Sequence, residues 1–581
     1  MKNIMMFLVA VVFLLGAAWK TAQLHGFPRF GIDDANIFFS YAENMANSKG
    51  ITYANNAERV EGFTSMLWML ISASQFRLGV GESGVLALSI LMLLFTQFIY
   101  LGIIHKTTRA SNRSALPYHV FYLLLVLSSP AYFYWMTITL MDTCLWGFII
   151  ACMTWYALFP PASAAGMFWM AVSFFLAPLS RPEFMLAGPA FAGLMCVRSR
   201  TLQGNWLTAW RLALLSGTAF LASLCGLTMF RLHYFGYPLP NTYYAKVSPS
   251  LEYNLLHGLR YFMKFVISGP IAAGSVLLVA FIVAFWTWRL ASNLLSSRSF
   301  KSWWSIPWPL LVFPALASGI LLLIPVLVGG DHFYLSRFYQ PAFPVLCLSV
   351  VLAVRDKSDL RVHLQSIPRP LRWAAAAFLA LLCFGWLGTY IHHYPHIREI
   401  GLSWFHPTDE SAAEFWLAEK GMEDGRKLNH LFREYGRFPS IGVVAAGGRA
   451  RTYSGPVIDT LGLNNSTIAH YKGERKGRRN HAAFEKEPFF QLAPEVFITR
   501  PPVFPDVDDD NNQMFKGVFF DHRFTDNWRY GTLSCDSADR TWFTAFFHRR
   551  LLESILQDSQ YHFHDTLIWT GVHWREADTA S

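Results

Sequence analysis

The sequence predicts a mainly α, polytopic membrane domain over residues 1–394 and a soluble, mixed α/β domain over 395–581. Composition is the first observation behind this: 53% of the 581 residues are hydrophobic and only 15% are charged, against about 25% charged in a typical soluble chain. The second is the distribution, with repeated apolar blocks up to about residue 394 and Asp, Glu, Arg, His and Asn concentrated beyond it. The third is the spacing of the basic residues, which fall in short loops between apolar runs.

Runs long enough to cross a bilayer, about 20 residues with some tolerance, lie near 4–19, 86–104, 118–136, 143–159, 167–179, 184–197, 212–231, 266–288, 306–328, 339–354 and 373–391. This gives about 11 transmembrane helices. The run Ile4–Ala18 follows Lys2 like a signal-peptide core, but lacks a convincing cleavage site and is read as an uncleaved first helix. The stretch 63–79 has no room to cross and return, and is expected along the interface. With a cytoplasmic N-terminus, four of the five inner loops carry three or more Lys or Arg residues, the exception being FPPASAAG. That asymmetry supports an inner-membrane protein with its C-terminal domain outside the cytoplasm. The same placement explains the net charge of +10 without a nucleic-acid partner. Six cysteines lie in or beside apolar runs and Cys535 stands alone in the soluble part, so no disulfide framework is implied.

In this topology GIDDAN (31–36), TLMDT (139–143), LSRPEF (179–184), GYPLPNTYYAK (236–246) and GGDHFYLSRF (329–338) all fall on the outer side. A transporter would place more polar residues at mid-membrane and show internal repeats. The convergence suits an enzyme at the outer surface.

Asp33 and Asp34 begin a helix whose Ile37, Tyr41 and Met45 share a face, so either can be a helix cap. Capping needs one carboxylate, and a second one beside it adds repulsion. A carboxylate there can accept a proton from an acceptor hydroxyl, hold a divalent cation or stabilise positive charge at a sugar carbon. Asp33 is the candidate catalytic carboxylate and Asp34 its positioning neighbour, with an acceptor hydroxyl or a metal between them. Glu61 either contacts an acceptor or braces its loop through Arg59. Asp331 is either a turn former or a sugar ligand, and Arg181 either faces an anion or pairs with Glu183. Lys246 and Arg337 either bind an anion or snorkel to headgroups. SIGVVAAG (440–447) and EVFITR (495–500) are the strand candidates of the soluble domain.

The run DDANIFFSYAENMANSKGITYANNAERVEGFTSMLW from Asp33, with Arg181-Pro182-Glu183, Pro240–Lys246, Gly329-Gly330-Asp331, Arg337-Phe338 and Asp459–Leu463 followed by Ile468-Ala469-His470, resembles a known set of enzymes. These are the membrane-embedded GT-C glycosyltransferases, specifically the mycobacterial terminal arabinofuranosyltransferase B family and bacterial relatives, including pilin arabinosyltransferase-like proteins. The chain departs from that pattern at Asp142, where relatives carry Glu, and in the basic stretch after His470. The resemblance implies a GT-C membrane domain using a polyprenyl-phosphate sugar as donor, with arabinofuranose as the sugar and an envelope glycan or exported protein as acceptor. It implies donor-phosphate contacts from Lys246, Arg337 and Arg181. Sugar or acceptor contacts would come from Glu61, Asn241, Tyr244, Asp331, Asp142 and His470. Polyprenyl-phospho-mannose or -glucose as donor, and a lipid-linked sugar flippase or export partner, are the competing readings.

Overall fold

The computed structural model describes residues 2–55, 57–248, 250–297, 308–356, 407–473, 481–505, 510–536 and 541–577. The expected span 373–391, the domain boundary near 394 and most of the basic stretch after His470 lie outside these residues.

The chain is mostly helical, a multi-pass membrane protein with a strand-containing region toward its C-terminus. Among the described residues, five helices are long and apolar enough to cross a membrane: Met5–Leu24, Gly81–Ala110, Trp206–Tyr234, Pro270–Asn293 and Tyr334–Arg355. Leu116–Leu127 and Pro130–Met136 form a further pair bent by 77°. The break coincides with Pro130, which has no N–H to continue the ladder, and Ser129 caps the second helix by accepting the Tyr132 N–H. The apolar helices Thr143–Leu158, Ala164–Ser180 and Val312–Leu327 are shorter. All the expected runs within the described residues therefore fall on helices, several of them shorter than a full crossing. The stretch expected at the interface forms Met66–Arg77, which packs on the helix Asp33–Ala46.

The chain divides into two compact units. The first comprises Met1–Pro28, Leu86–Leu227 and Glu252–Ala412, and the second Arg29–Val85, Thr228–Leu251 and Ala413–Ser581. Two segments read from sequence as loops of the membrane domain thus belong with the C-terminal residues.

In the first unit, buried aromatic and aliphatic side chains pack the helices together, among them Tyr132, Trp135, Ile150, Phe191 and Leu346. In the second unit, a seven-stranded sheet has the order β2-β1-β3-β5-β4-β6-β7. β1 (Ile441–Val443), β2 (Val457–Asp459) and β3 (Val496–Ile498) are parallel. β4 (Trp528–Cys535), β5 (Thr541–His548), β6 (Tyr561–Trp569) and β7 (Trp574–Glu576) continue it antiparallel. Both sequence-predicted strand segments are strands, β1 and β3. The core on this sheet is strongly aromatic, built from Phe489, Phe497, Phe519, Phe524, Trp528 and Phe546. Large rings bury much apolar area per residue, which suits short three-residue strands.

Candidate functional site

The second unit gathers most of the predicted residues. Helix Asp33–Ala46 begins after Ile32, which offers no side-chain cap, so both aspartates lie in the first turn, where the helix dipole favours negative charge. Neither is the N-cap of its own helix. Their environments differ sharply. Asp33 is 4% exposed, and its two oxygens accept the N–H groups of Gly447 and Gly448 at 2.9 Å each. It thereby satisfies the orphan donors at the start of helix Gly447–Thr452. Burial pushes its pKa up, and the two N–H groups and the charge of Arg449 oppose that shift. The side chain of Asp34 is 23% exposed and its Oδ2 lies 4.0 Å from Nζ of Lys246, itself 21% exposed. The accessible carboxylate of the pair is Asp34.

Glu61 does not pair with Arg59. Its carboxylate is gripped by Arg231, Nε to Oε2 at 2.7 Å and Nη2 to Oε1 at 2.8 Å, with both side chains buried. Arg59 instead lies over the Tyr234 ring. Burial raises the pKa of Glu61 while Arg231 opposes the rise. The Glu61 carbonyl accepts the Asn241 N–H at 2.9 Å, which starts the short helix Asn241–Lys246. Asn241 Nδ2 donates to the carbonyls of Gly462 (2.8 Å) and Leu463 (2.9 Å). Asn241 Oδ1 is buried without a hydrogen-bond partner among the described residues. The His470 ring stacks on Tyr237, with centroids 3.9 Å apart, and meets Tyr244 in a tilted contact at 4.3 Å.

Sequence reasoning missed the centre of this network. Asp459, at the end of β2, is fully buried and accepts the N–H groups of Leu461 (3.0 Å) and Asn464 (2.9 Å) and the Asn464 amide (2.9 Å). Burial pushes its pKa up to about 6, against those hydrogen bonds and the charge of Lys246. Asn464 accepts from the Tyr41 hydroxyl at 3.1 Å, and Tyr41 also donates to Val60 O at 2.7 Å. The 58–64 loop, the 241–246 turn and the 459–470 segment are thus joined by hydrogen bonds. The motif around Asp459 was the available signal. Arg231 gave none, standing at the end of an apolar run.

The first unit holds Asp142, Arg181, Asp331 and Arg337. Arg181 donates to Asp142 Oδ2 at 2.9 Å and to both oxygens of Glu183 at 2.9 and 2.6 Å. Arg337 Nε lies 2.7 Å from Asp331 Oδ2. Asp331 also accepts the His332 N–H at 2.9 Å, as a turn former does. Both guanidinium groups lie against the Phe338 ring, at 5.2 Å for Arg181 and 5.1 Å for Arg337. Leu335 and Ser336, just before Arg337, have left-handed backbone (φ 58° and 52°), a strained conformation for side-chain-bearing residues that the surrounding packing maintains. These arginines are buried and carboxylate-bound. A cavity of about 450 Å³ in the same unit is lined by Lys264, Asp331 and His332 and by apolar groups including Phe265, Ile271 and Phe343.

No protein-family profile matches the chain, and no curated protein is similar to it. Among solved structures it is similar to ArnT from Cupriavidus metallidurans bound to undecaprenyl phosphate, at 14% identity, 89% of this chain and 85% of that one covered, and a TM-score of 0.38. It is likewise similar to the apo state of that protein (13%, 80% and 87%, 0.44). The apo oligosaccharyltransferase of Archaeoglobus fulgidus is a third (13%, 92% and 74%, 0.40). Likeness at this level carries no functional inference.

Among the described residues no three His, Cys, Asp or Glu side chains converge as a metal site. Each Asp33 oxygen already accepts one backbone N–H, so a cation shared between Asp33 and Asp34 would have to share these oxygens with the contacts that hold helix Gly447–Thr452.

Proposed function

We propose that the chain is a GT-C glycosyltransferase that moves a sugar, D-arabinofuranose by the resemblance of its motifs, from a polyprenyl-phosphate donor to a cell-envelope glycan or exported protein. The reaction is assigned to the outer face of the inner membrane, with the N-terminus cytoplasmic and the C-terminal region outside. The observation that carries this reading is the division of labour in the Asp pair. Asp33 is locked into the backbone, whereas Asp34 is accessible and lies beside Lys246.

In this mechanism Asp34 accepts the proton of the acceptor hydroxyl as its oxygen attacks the anomeric carbon. The bond from that carbon to the phosphate oxygen breaks, and the lipid phosphate leaves with the electron pair. Lys246 neutralises the leaving charge. Asp33 is a positioning residue, and the roles expected for the two aspartates are exchanged. Arg181 and Arg337, expected on the donor phosphate, are instead held by carboxylates in a cluster that orders their loops. Glu61 and Asn241 act as loop clamps rather than direct sugar ligands.

The test uses purified protein, undecaprenyl-phospho-arabinofuranose and an arabinofuranosyl acceptor, with the product read by mass spectrometry. Asp34→Asn is expected to lower transfer about 10²–10⁴-fold without lowering the melting temperature. An Asp34→Asn protein with nearly full activity would overturn the assignment.

A further inference from the structure

A second cavity, of about 280 Å³, lies wholly within the second unit, at the far end of helix Asp33–Ala46 from the aspartates. The chemistry above does not use it. Its wall is mostly polar: Glu43, Asn44, Asn47, Asn55 and Arg451, with the rings of Phe76 and Tyr453.

The polar groups are held in place. Asn44 Nδ2 donates to Thr52 O at 2.9 Å, Lys49 Nζ donates to Asn55 Oδ1 at 3.1 Å, and Asn55 Nδ2 reaches Ser454 O at 3.4 Å. The Arg451 guanidinium is 5% exposed and tied down by Glu43, by Asn36 at 2.6 Å and by Glu82 at 2.7 Å. The local charges balance, with Glu43 and Glu82 against Arg451 and Lys49. Such a site has no surplus charge to attract a phosphate or a metal ion, and its wall is too polar for a lipid chain. What matches it is a neutral molecule bearing many hydroxyls. Each side-chain amide can both donate and accept a hydrogen bond, as a hydroxyl does, and the two rings give apolar patches for the C–H faces of a sugar. The volume is at the lower edge of the ~300–1,000 Å³ range of small-molecule sites.

We infer that this cavity binds a neutral sugar residue of a glycan acceptor, away from the point of transfer. Asp34 and Asn44 are ten residues apart on one helix, which at 1.5 Å per residue separates them by roughly 15 Å. An acceptor spanning both must contain several sugar units, so the cavity would favour long acceptors over short ones. The role as an acceptor site rests on the proposed transferase reading; sugar binding as such does not.

The experiment uses the full chain in detergent. Saturation-transfer NMR is recorded with an arabinofuranosyl trisaccharide, a mannosyl trisaccharide and, as a charged control, a galacturonosyl trisaccharide. Transfer kinetics are then compared for long and monosaccharide acceptors. Wild-type protein is expected to transfer saturation to a neutral probe and not to the control. Asn47→Ala, at an exposed position, and Asn44→Ala are expected to weaken that signal about tenfold, and to raise KM for the long acceptor about tenfold while raising KM for the short one less than twofold. No saturation transfer to either neutral probe, equal transfer to the charged control, or unaltered signals in both folded variants would overturn the proposal. Neutral-probe binding that the variants abolish in a protein with no transfer activity would leave the sugar site standing and reject the transferase reading.

Discussion

Gly447 packs so tightly on Asp33 that a Cβ at this glycine would lie 1.9 Å from the Asp33 carbonyl oxygen, while its N–H donates to Asp33 Oδ2 at 2.9 Å. The approach is possible because residue 447 has no side chain. It fixes the first turn of helix Asp33–Ala46 against helix Gly447–Thr452, and with it the direction in which Asp34 points.

Gly447→Ala must therefore push the two helices apart. A destabilisation at the upper end of ~1–3 kcal/mol is expected for such overpacking, together with loss of transfer activity. Asp33→Asn keeps one acceptor and sets its own N–H₂ against a backbone N–H. Removing a hydrogen bond to a charged group costs roughly 1.5–3 kcal/mol. Thermal unfolding of both variants beside Asp34→Asn checks this: Gly447→Ala and Asp33→Asn should melt lower, and Asp34→Asn should not.

The buried pair of Glu61 and Arg231 makes a different prediction. Removing one partner of a buried ion pair leaves the other uncompensated, at a cost of about 3–5 kcal/mol, whereas replacing both by apolar groups of similar volume is often neutral. Glu61→Gln and Arg231→Met should each lower the melting temperature clearly, and the double variant Glu61→Leu with Arg231→Met should recover most of the loss. If Glu61 touched the acceptor directly, the recovered double variant would still have an acceptor KM raised in proportion to the loss of that contact. A KM within threefold of wild type is expected.

The apolar runs and the strand segments were legible because each is a local pattern, a periodicity or a stretch of hydrophobicity that needs no knowledge of the rest of the chain. Local motifs also drew attention to Asp33, Asp34, Glu61, Asn241, Tyr244, Lys246 and His470, which all fall in the second unit. Their partners were not legible. The ion-pair partner that local spacing offers Glu61 is Arg59, two residues away, and it uses Arg231, 170 positions on; Asp33 bonds Gly447, 414 positions on. Such pairings are decided by tertiary packing, which local spacing does not encode. For Arg181 the nearby partner, Glu183, was one of the two readings its sequence offered, whereas its second partner, Asp142, 39 positions back, was not legible in local spacing.

The pH dependence of stability should carry a signature of Asp459. Burial raises its pKa from 3.8 in the ordinary carboxyl range to about 6, so the folded protein holds this proton more tightly than the unfolded chain does. Its stabilising contribution is complete below the unfolded pKa, about 4, and is lost as pH rises through about 6, amounting to roughly 3 kcal/mol at 1.36 kcal/mol per unit. Asp459→Asn removes that dependence. The melting temperature of wild type relative to Asp459→Asn should fall between pH 4 and 6.5 and then level off. A difference that stays constant over this range would show that Asp459 titrates normally.

Lys246 and Arg337 were grouped by sequence as donor-phosphate cations, and their surroundings now separate them. Lys246 is partly exposed, 4.0 Å from Asp34, whereas Arg337 is buried with its Nε 2.7 Å from Asp331. Neutralising Arg337 strands a buried carboxylate, so Arg337→Gln should cost about 3–5 kcal/mol and lower the melting temperature whether or not donor is present. Lys246→Gln strands no buried direct partner and removes only the longer-range support of Asp459, so its melting temperature at neutral pH should fall less than that of Arg337→Gln. It should instead weaken use of the polyprenyl-phosphate donor, with donor KM rising about tenfold or more and acceptor KM changing little. A second readout follows from the charge of Lys246, which holds the Asp459 pKa down. In Lys246→Gln the Asp459-dependent loss of stability should move to higher pH, a shift that requires Lys246 to sit within electrostatic reach of that carboxylate and owes nothing to catalysis. A Lys246→Gln enzyme with the shifted pH profile but an unaltered donor KM would place Lys246 correctly in the fold and remove it from the donor phosphate.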